Sequence, residues 1–448
     1  MKITVKAVAA ALALAVLTST NSAFAQGSLT PPVGAPAPVM KSLAQVEPRT
    51  PINATTTPGN GTATYVIAQP GSYFLEGNIA VSTTNGISVT TNDVTIDLRG
   101  FTISRATGTN GSAIQVSAAN CAIRSGNVRG FAIGIDGQSA SAGLVQGVTV
   151  MGFGIYGYIV RDAWRFSDCA ALNATNAAVN MFGFSALTFA RFDRCQAAFL
   201  SGPSCYGFSA GSRSTFNSCG AGNLTATFSS SYGFSTETDC GLYSCQANGN
   251  NAVMGGFGFS PAAGSLLKDC IANNNVVSAG TGSSGGFWTD DGVTMIDCMA
   301  ENNSGASNLA GRGGMGIFVY GAGLIQNCTV RANSGDGIHV GGAIVSGVKI
   351  INNVAVDNTQ SGIRMGNGSD NVFERNYVRG NGIGLNIVTA GNLILGNTAA
   401  VNGTNYVIAL SNRYGPIVDL TAAGAAAVSG NSAASTLGTT DPQANLAY

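Results

Sequence analysis

Charge is scarce in this chain. Asp, Glu, Lys and Arg together make up 9% of its 448 residues, and 21 basic side chains balance 21 acidic ones. Neither sign forms a run, so there is no basic surface of the kind a phosphate backbone requires, and nucleic acid is not an expected partner. A single histidine, His339, and cysteines spaced a full repeat apart leave no zinc-site pattern. The 62 glycines and the lack of apolar stripes at i, i+3 and i+4 argue against long helices. Beyond the first 25 residues no apolar run is long enough to span a membrane, so no transmembrane segment is expected once that stretch is removed.

That stretch reads MKITVKAVAAALALAVLTSTNSAFAQ, with Lys2 and Lys6, an apolar core, and Ala23-Phe24-Ala25 ahead of Gln26. These are the parts of a secretory signal with a small-residue cleavage site, which places a signal peptide at 1–25 and predicts export. Residues 26–60, rich in Pro, Thr and Ala, read as an extended arm, and residues 61–410 carry the strand pattern. Residues 411–448, rich in Ala, Gly and Ser, read as a cap on the last coil or as a tail.

Within 61–410 a glycine is followed twelve positions later by a cysteine seven times, from Gly157/Cys169 to Gly316/Cys328. The interval from each cysteine to the next glycine varies from 9 to 18 residues. A constant arc joined by a variable one describes a single unit stacked on itself, with one turn that tolerates insertion. Repeats of 21 to 30 residues with period-two alternation predict a parallel β-helix of about twelve coils. After the last cysteine, Asn353, Asn376 and Asn397 occupy the equivalent position, so cysteine and asparagine share one column. Three residues before it stand apolar residues from Phe166 to Ile394, the expected core. Five residues after it stand asparagines from Asn250 to Asn402, expected to form a stacked amide ladder and to take the left-handed turn geometry themselves.

Ten cysteines in an exported chain first suggest disulfides. Seven of them lie in one in-register column, where neighbours are about 4.8 Å apart and parallel side chains hold the Cβ atoms too far apart to bridge. Buried thiols are therefore expected, the alternative being one bridge from Cys205 or Cys240 to a ladder cysteine. The pattern calls for no cofactor. Its one candidate cation site is the pair Asp269 and Asp297, each one residue before a ladder cysteine on adjacent coils, which could hold Ca²⁺.

The units GFSALTFARFDRC, GFSAGSRSTFNSC, GFSTETDCGLYSC and GFSPAAGSLLKDC, with the VTIDLRGFTI coil, resemble secreted bacterial right-handed parallel β-helix repeat proteins of the pectin-lyase-like superfamily. The resemblance covers roughly residues 61–410. The lead-in MKSLAQVEPRTPI and the closing NRYGPIV and DPQANLAY segments are similar to a subgroup with the same ends. It implies an all-β, right-handed solenoid, secreted or held at the cell surface or in the periplasm of a bacterium, with polysaccharide as the partner. The N-T-D and G-H-G segments of the superfamily's polygalacturonases are absent here. The D-P-H segment of its epimerases is echoed only by DGIH at 336–339.

Alternation also sorts the residues after each glycine. The next residue is apolar (Phe184, Phe208, Phe234) and points inward, so the one after it points outward. That outward column reads Ile159, Ser185, Ser209, Ser235, Ser260, then Trp288, Phe318, His339, Arg364 and Asn386. Four serines make a small polar face, and five large groups follow. The two long variable arcs lead into the Trp288 and Phe318 coils, where insertions would build the walls of a groove. A glycan-binding face is therefore expected at Trp288, Phe318, Asn386, Asp290, Asp291 and Tyr320, in a non-catalytic binding or structural module. The alternative is a polysaccharide lyase acting on a uronate polymer, with His339 as base and Arg364 neutralising the carboxylate. The other alternative for Trp288 and Phe318 is that they are surface aromatics covered by those same loops or by a partner protein.

Overall fold

A computed structural model describes residues 48–105, 110–279, 283–305, 313–342, 344–420 and 441–448. The signal peptide expected at 1–25 and most of the arm lie outside the described residues. From Arg49 onward the chain forms one compact unit, a right-handed parallel β-helix of about 15 turns. Among the described residues there is no helix. Fifteen strands, from Ala63–Ile67 to Thr404–Ile408, stack in parallel as one sheet, and the remaining strands form a second sheet of thirty-four. The larger sheet bends along its length. In Leu144–Met151 one strand runs through both limbs, with Gly147 at φ 61° marking the bend. In later coils the limbs are separate short strands, such as Arg191–Asp193 and Gln196–Gly202.

The column register stands. The seven ladder cysteines and Asn353, Asn376 and Asn397 are all buried, as is the apolar column from Phe166 to Ile394. Inside the coil Phe184, Phe208, Phe234 and Phe259 stack at 4.8 Å, and edge-on contacts at 5.6–5.8 Å tie them to Phe192 and Phe216 on the opposite wall. Stacked and edge-to-face rings add to plain area burial.

Cysteine and asparagine in the column both act as hydrogen-bond donors. The amides of Asn353, Asn376 and Asn397 donate to the carbonyls of Ile325, Ile350 and Phe373, three residues before the ladder position of the preceding coil, each at 2.9 Å. The thiols of Cys169 and Cys270 donate to the equivalent carbonyls, Val145 and Leu242, at 3.4 Å. Asparagine thus always donates across to the preceding coil, whereas only these two thiols do so; all seven ladder thiols donate to the carbonyl two residues before them, at 3.3–3.5 Å. Asparagine does more: its Oδ1 also accepts the backbone N–H of the preceding ladder residue, as Asn353 does for Cys328 at 2.8 Å.

The second ladder runs from Asn250 through Asn275, Asn303, Asn333, Asn358 and Asn381 to Asn402, with amide-to-amide bonds of 2.9–3.0 Å. Each Oδ1 accepts both the backbone and side-chain N–H of the asparagine one coil earlier. The left-handed residue is not the asparagine, as expected from its turn preference, but the one before it: Asn274, Asn302, Ala332, Asp357 and Val401 have φ of 53–56°. The preceding residue absorbs the turn, leaving the asparagine side chain free to point along the axis. Val401, β-branched and 67% exposed, carries this conformation without packing in return.

The coil count needs correction, and strand pairing reaches beyond residues 61–410 at both ends. There are about 15 coils where about twelve were expected; one of those not anticipated is the Leu144–Met151 coil, where Val148 occupies the ladder column with no cysteine or asparagine mark. Strand pairing starts at Thr50–Pro51 against Tyr73–Phe74, ahead of residue 61. It also runs past residue 410, since Asn445–Ala447 pairs with Thr398–Ala399.

All ten cysteines are free and buried. Burial pushes the Cys195 and Cys270 thiols up, and that of Cys205 up to about 12. A thiol reagent is expected to find almost none of the ten cysteines in the native protein and all of them after denaturation without reductant; fewer than two in the denatured chain would refute a reduced column. Asn333→Ala strands two buried donors of Asn303 and is expected to cost about 3 kcal/mol in denaturant unfolding. Val401→Gly relieves a left-handed β-branched residue and should stabilise the same transition by about 1 kcal/mol.

Candidate functional site: an aromatic face on the fifteen-stranded sheet

The glycine column shapes the outer face. A Cβ built on Gly183 would lie 2.7 Å from the Cβ of Ala197 on the opposite wall and 2.6 Å from the Gly207 carbonyl oxygen. The same clash recurs at Gly157 and Gly207, against Ala171 and Ala221. Only glycine allows the two walls to come this close. Gly183 and Phe184 therefore both face inward, which breaks strict alternation and leaves Phe182 and Ser185 both outward. The face thus carries two columns, one residue before each glycine and two residues after it.

The second is the predicted column, and its register is as expected: Ser185 pairs with Ser209, Ser209 with Ser235, Trp288 with Phe318, Phe318 with His339, His339 with Arg364 and Arg364 with Asn386. The first column was missed. It reads Tyr156, Phe182, Tyr206, Tyr232 and Phe257, with ring centroids 5.0, 4.8 and 5.6 Å apart over the first four. The signal was present in the sequence as an aromatic immediately before the glycine in YG, FG, YG, YG and FG. At the next coil this column becomes Gly285, and the aromatic character crosses to Trp288, whose ring meets Phe257 edge-on at 5.4 Å. Trp288 then contacts Phe318 at 4.7 Å and stacks on Tyr320 at 5.4 Å, and Phe318 meets His339 at 5.4 Å. One aromatic stripe therefore crosses the sheet diagonally from Tyr156 to His339.

The stripe is not evenly open. Tyr156, Phe182, Tyr206, Tyr232 and Trp288 are half-buried, and Tyr320 is 39% exposed. Phe318 at 1%, His339 at 3% and Asn386 at 5% are buried, contrary to the expectation that the whole column lies open. The chain after His339 passes close over Phe318 and His339. A Cβ on Gly341 would sit 2.9 Å from His339 Nε2, and one on Gly342 would sit 2.6 Å from the Tyr320 ring and 3.3 Å from Phe318. The paired glycines of HVGG let backbone cover these rings.

Beneath that cover lies a polar cluster. His339 Nδ1 is 2.7 Å from Asp336 Oδ2, and Asp336 Oδ1 accepts the Ser361 N–H at 2.7 Å. Asp336 is fully buried. Asn386 donates to Ser361 Oγ at 3.2 Å. Arg364 Nε and Asn386 Oδ1 are buried without a hydrogen-bond partner among the described residues. The structure thus brings Trp288, Phe318, Tyr320, His339, Arg364 and Asn386 into one run. Asp290 and Asp291 lie at the corner past the strand, where their Oδ1 atoms accept the backbone N–H groups of Asp291 and Ala322. Asp269 and Asp297 sit exposed at a different bend, where Asp297 accepts the Asn327 amide at 3.2 Å. Among the described residues, no group of three or more His, Cys, Asp or Glu side chains gathers as a metal site.

Among solved structures, the chain is similar to a mannuronan C-5 epimerase A-module from Azotobacter vinelandii, at 12% identity and a TM-score of 0.40, covering 72% of this chain and 90% of that one. It is also similar to a periplasmic alginate epimerase (12% identity, TM-score 0.37, covering 81% and 79%) and to the catalytic domain of a GH87 alpha-1,3-glucanase in complex with nigerose (13%, 0.31, covering 82% and 70%). No curated protein sequence matches. Among the described residues no helix is long and apolar enough to cross a membrane. Residues 288–436 match the family model described as a right handed beta helix region. With the register set out above, the chain folds as a right-handed parallel β-helix.

Proposed function

We propose that the protein is an exported, non-catalytic module that binds an extended polysaccharide along the outer face of its fifteen-stranded sheet. The observation that carries this reading is the continuous aromatic stripe with a serine column beside it. Half-buried rings held at 5 Å intervals by a rigid sheet present apolar faces to the C–H surfaces of sugars. The hydroxyls of Ser185, Ser209 and Ser235 stand beside them as donors and acceptors for sugar hydroxyls. Because the scaffold is a solenoid, the rings are preorganised, and binding loses little freedom on the protein side. The near absence of net charge suits a polar ligand of low charge density.

The alternative reading, a lyase, draws on the Asp336–His339 pair beside Arg364. In that chemistry His339 Nε2 would take the proton from the carbon next to a uronate carboxylate. The C–H electrons would form the double bond as the glycosidic C–O bond breaks, and Arg364 would offset the carboxylate charge. The cover over His339 favours the binding reading.

The test is affinity electrophoresis or calorimetry of the mature protein against neutral and uronate-containing glycans. Trp288→Ala and Tyr206→Ala should each weaken binding by about 1 to 3 kcal/mol, since each ring would lose apolar area covered by the sugar. Unchanged affinity in both variants would remove this face from consideration. Release of unsaturated product that is lost in His339→Ala while binding persists would establish the lyase instead.

A further inference from the structure

The last coil is built from two separate pieces of chain. After the bend at Gly415, continuation in register would place Ile417 at the ladder position, four residues after Arg413, as Asn397 follows Leu393. Instead Ile417–Asp419 is displaced outward by one strand, and Asn445–Ala447 lies between it and Thr398–Ala399, paired in parallel with both. The inserted segment reproduces the internal pattern: Asn445-Leu446-Ala447 stacks on Asn397-Thr398-Ala399, with Ala447 over the inward alanine.

Its recognition is specific at one side chain and generic elsewhere. Asn445, fully buried, accepts the backbone N–H of Asn397 at 2.9 Å and its amide at 3.2 Å, and donates to the Gly415 carbonyl at 3.0 Å. The rest is backbone pairing: Leu446 N to Asn397 O at 2.8 Å, Tyr448 N to Ala399 O at 2.9 Å, Val401 N to Tyr448 O at 2.7 Å and Leu420 N to Ala447 O at 2.8 Å. Tyr406 adds a hydroxyl bond to the Leu446 carbonyl at 2.8 Å. Every one of these contacts is made to residues 397–420, and none depends on the segment being joined to them by covalent chain.

We propose that the slot between Thr398–Ala400 and Ile417–Asp419 is a peptide-binding site that reads an extended strand with asparagine at the ladder position, and that Gln443–Tyr448 is its resident ligand. Recognition is by strand addition: main-chain bonds hold the peptide, and the Asn397–Asn445 amide pair selects its register. The same segment of a second copy fits the slot equally, so the last coil can be exchanged between molecules. This inference stands apart from the glycan face.

The full-length protein carrying an engineered protease site among residues 421–440 is folded, cut, and offered a fluorescent peptide copying Gln443–Tyr448. Uncut protein, whose slot is filled, is expected to leave the label free. Cut protein is expected to keep its β-sheet circular dichroism and to take up the label saturably, while a peptide with Asn445→Ala binds about tenfold more weakly. Loss of the β-sheet signal on cutting, or no uptake by the cut and folded protein, overturns the proposal, because the segment would then be an inseparable part of the fold. Equal binding of the Asn445→Ala peptide overturns the assignment of Asn445 as the reading residue.

Discussion

The structure depends on how closely two walls of the coil approach each other. Along the glycine column a bare Cα faces the alanine column of Ala171, Ala197 and Ala221, leaving no room for even one added methyl. That pinch narrows the cross-section at one place, and the phenylalanine stacks span the width beside it in stacked and edge-on contact. It also turns two consecutive residues inward on every coil. The outer face gains its pair of columns as a direct result, and the aromatic stripe exists because the core is pinched.

Much of the fold could be read from residue spacing, because its most regular columns are inward and chemically narrow. Glycine at the pinch and cysteine at the bend each answer a strict steric or hydrogen-bonding demand, so their twelve-residue separation recurs seven times while the turns between them vary. The coil at Leu144–Met151 escaped the count for the same reason. Val148 fills the bend without a hydrogen-bonding side chain and looks like an ordinary strand residue. Left-handed turn geometry was assigned one residue too far along, since asparagine's preference for that conformation competes with its use here as an axial amide, and the amide prevails.

The candidate site was only half legible. Strict alternation finds the column at Trp288, Phe318, His339, Arg364 and Asn386, but it assumes that each strand is regular. The inward pair of glycine and phenylalanine breaks that assumption, and Tyr156, Phe182, Tyr206 and Tyr232 were placed on no face at all. Burial was harder still. Whether Phe318 and His339 meet solvent depends on where the chain after Val340 travels, and periodicity does not carry that information. The two glycines at 341 and 342 mark a close backbone approach only once the covered rings are known.

The thiol column has a consequence in time. Seven cysteines sealed in the native core are all accessible in the unfolded chain, and neighbours separated by one coil are well placed to collide and oxidise there. Disulfide formation takes seconds to hours, whereas closing a coil onto its predecessor involves short sequence separations and is intrinsically faster. A solenoid that grows coil by coil withdraws one thiol from solvent with each turn added. In an oxidising compartment the order of events would then decide the outcome: a chain that stalls partway is exposed to cross-linking at the growing end, while every coil already laid down is beyond reach.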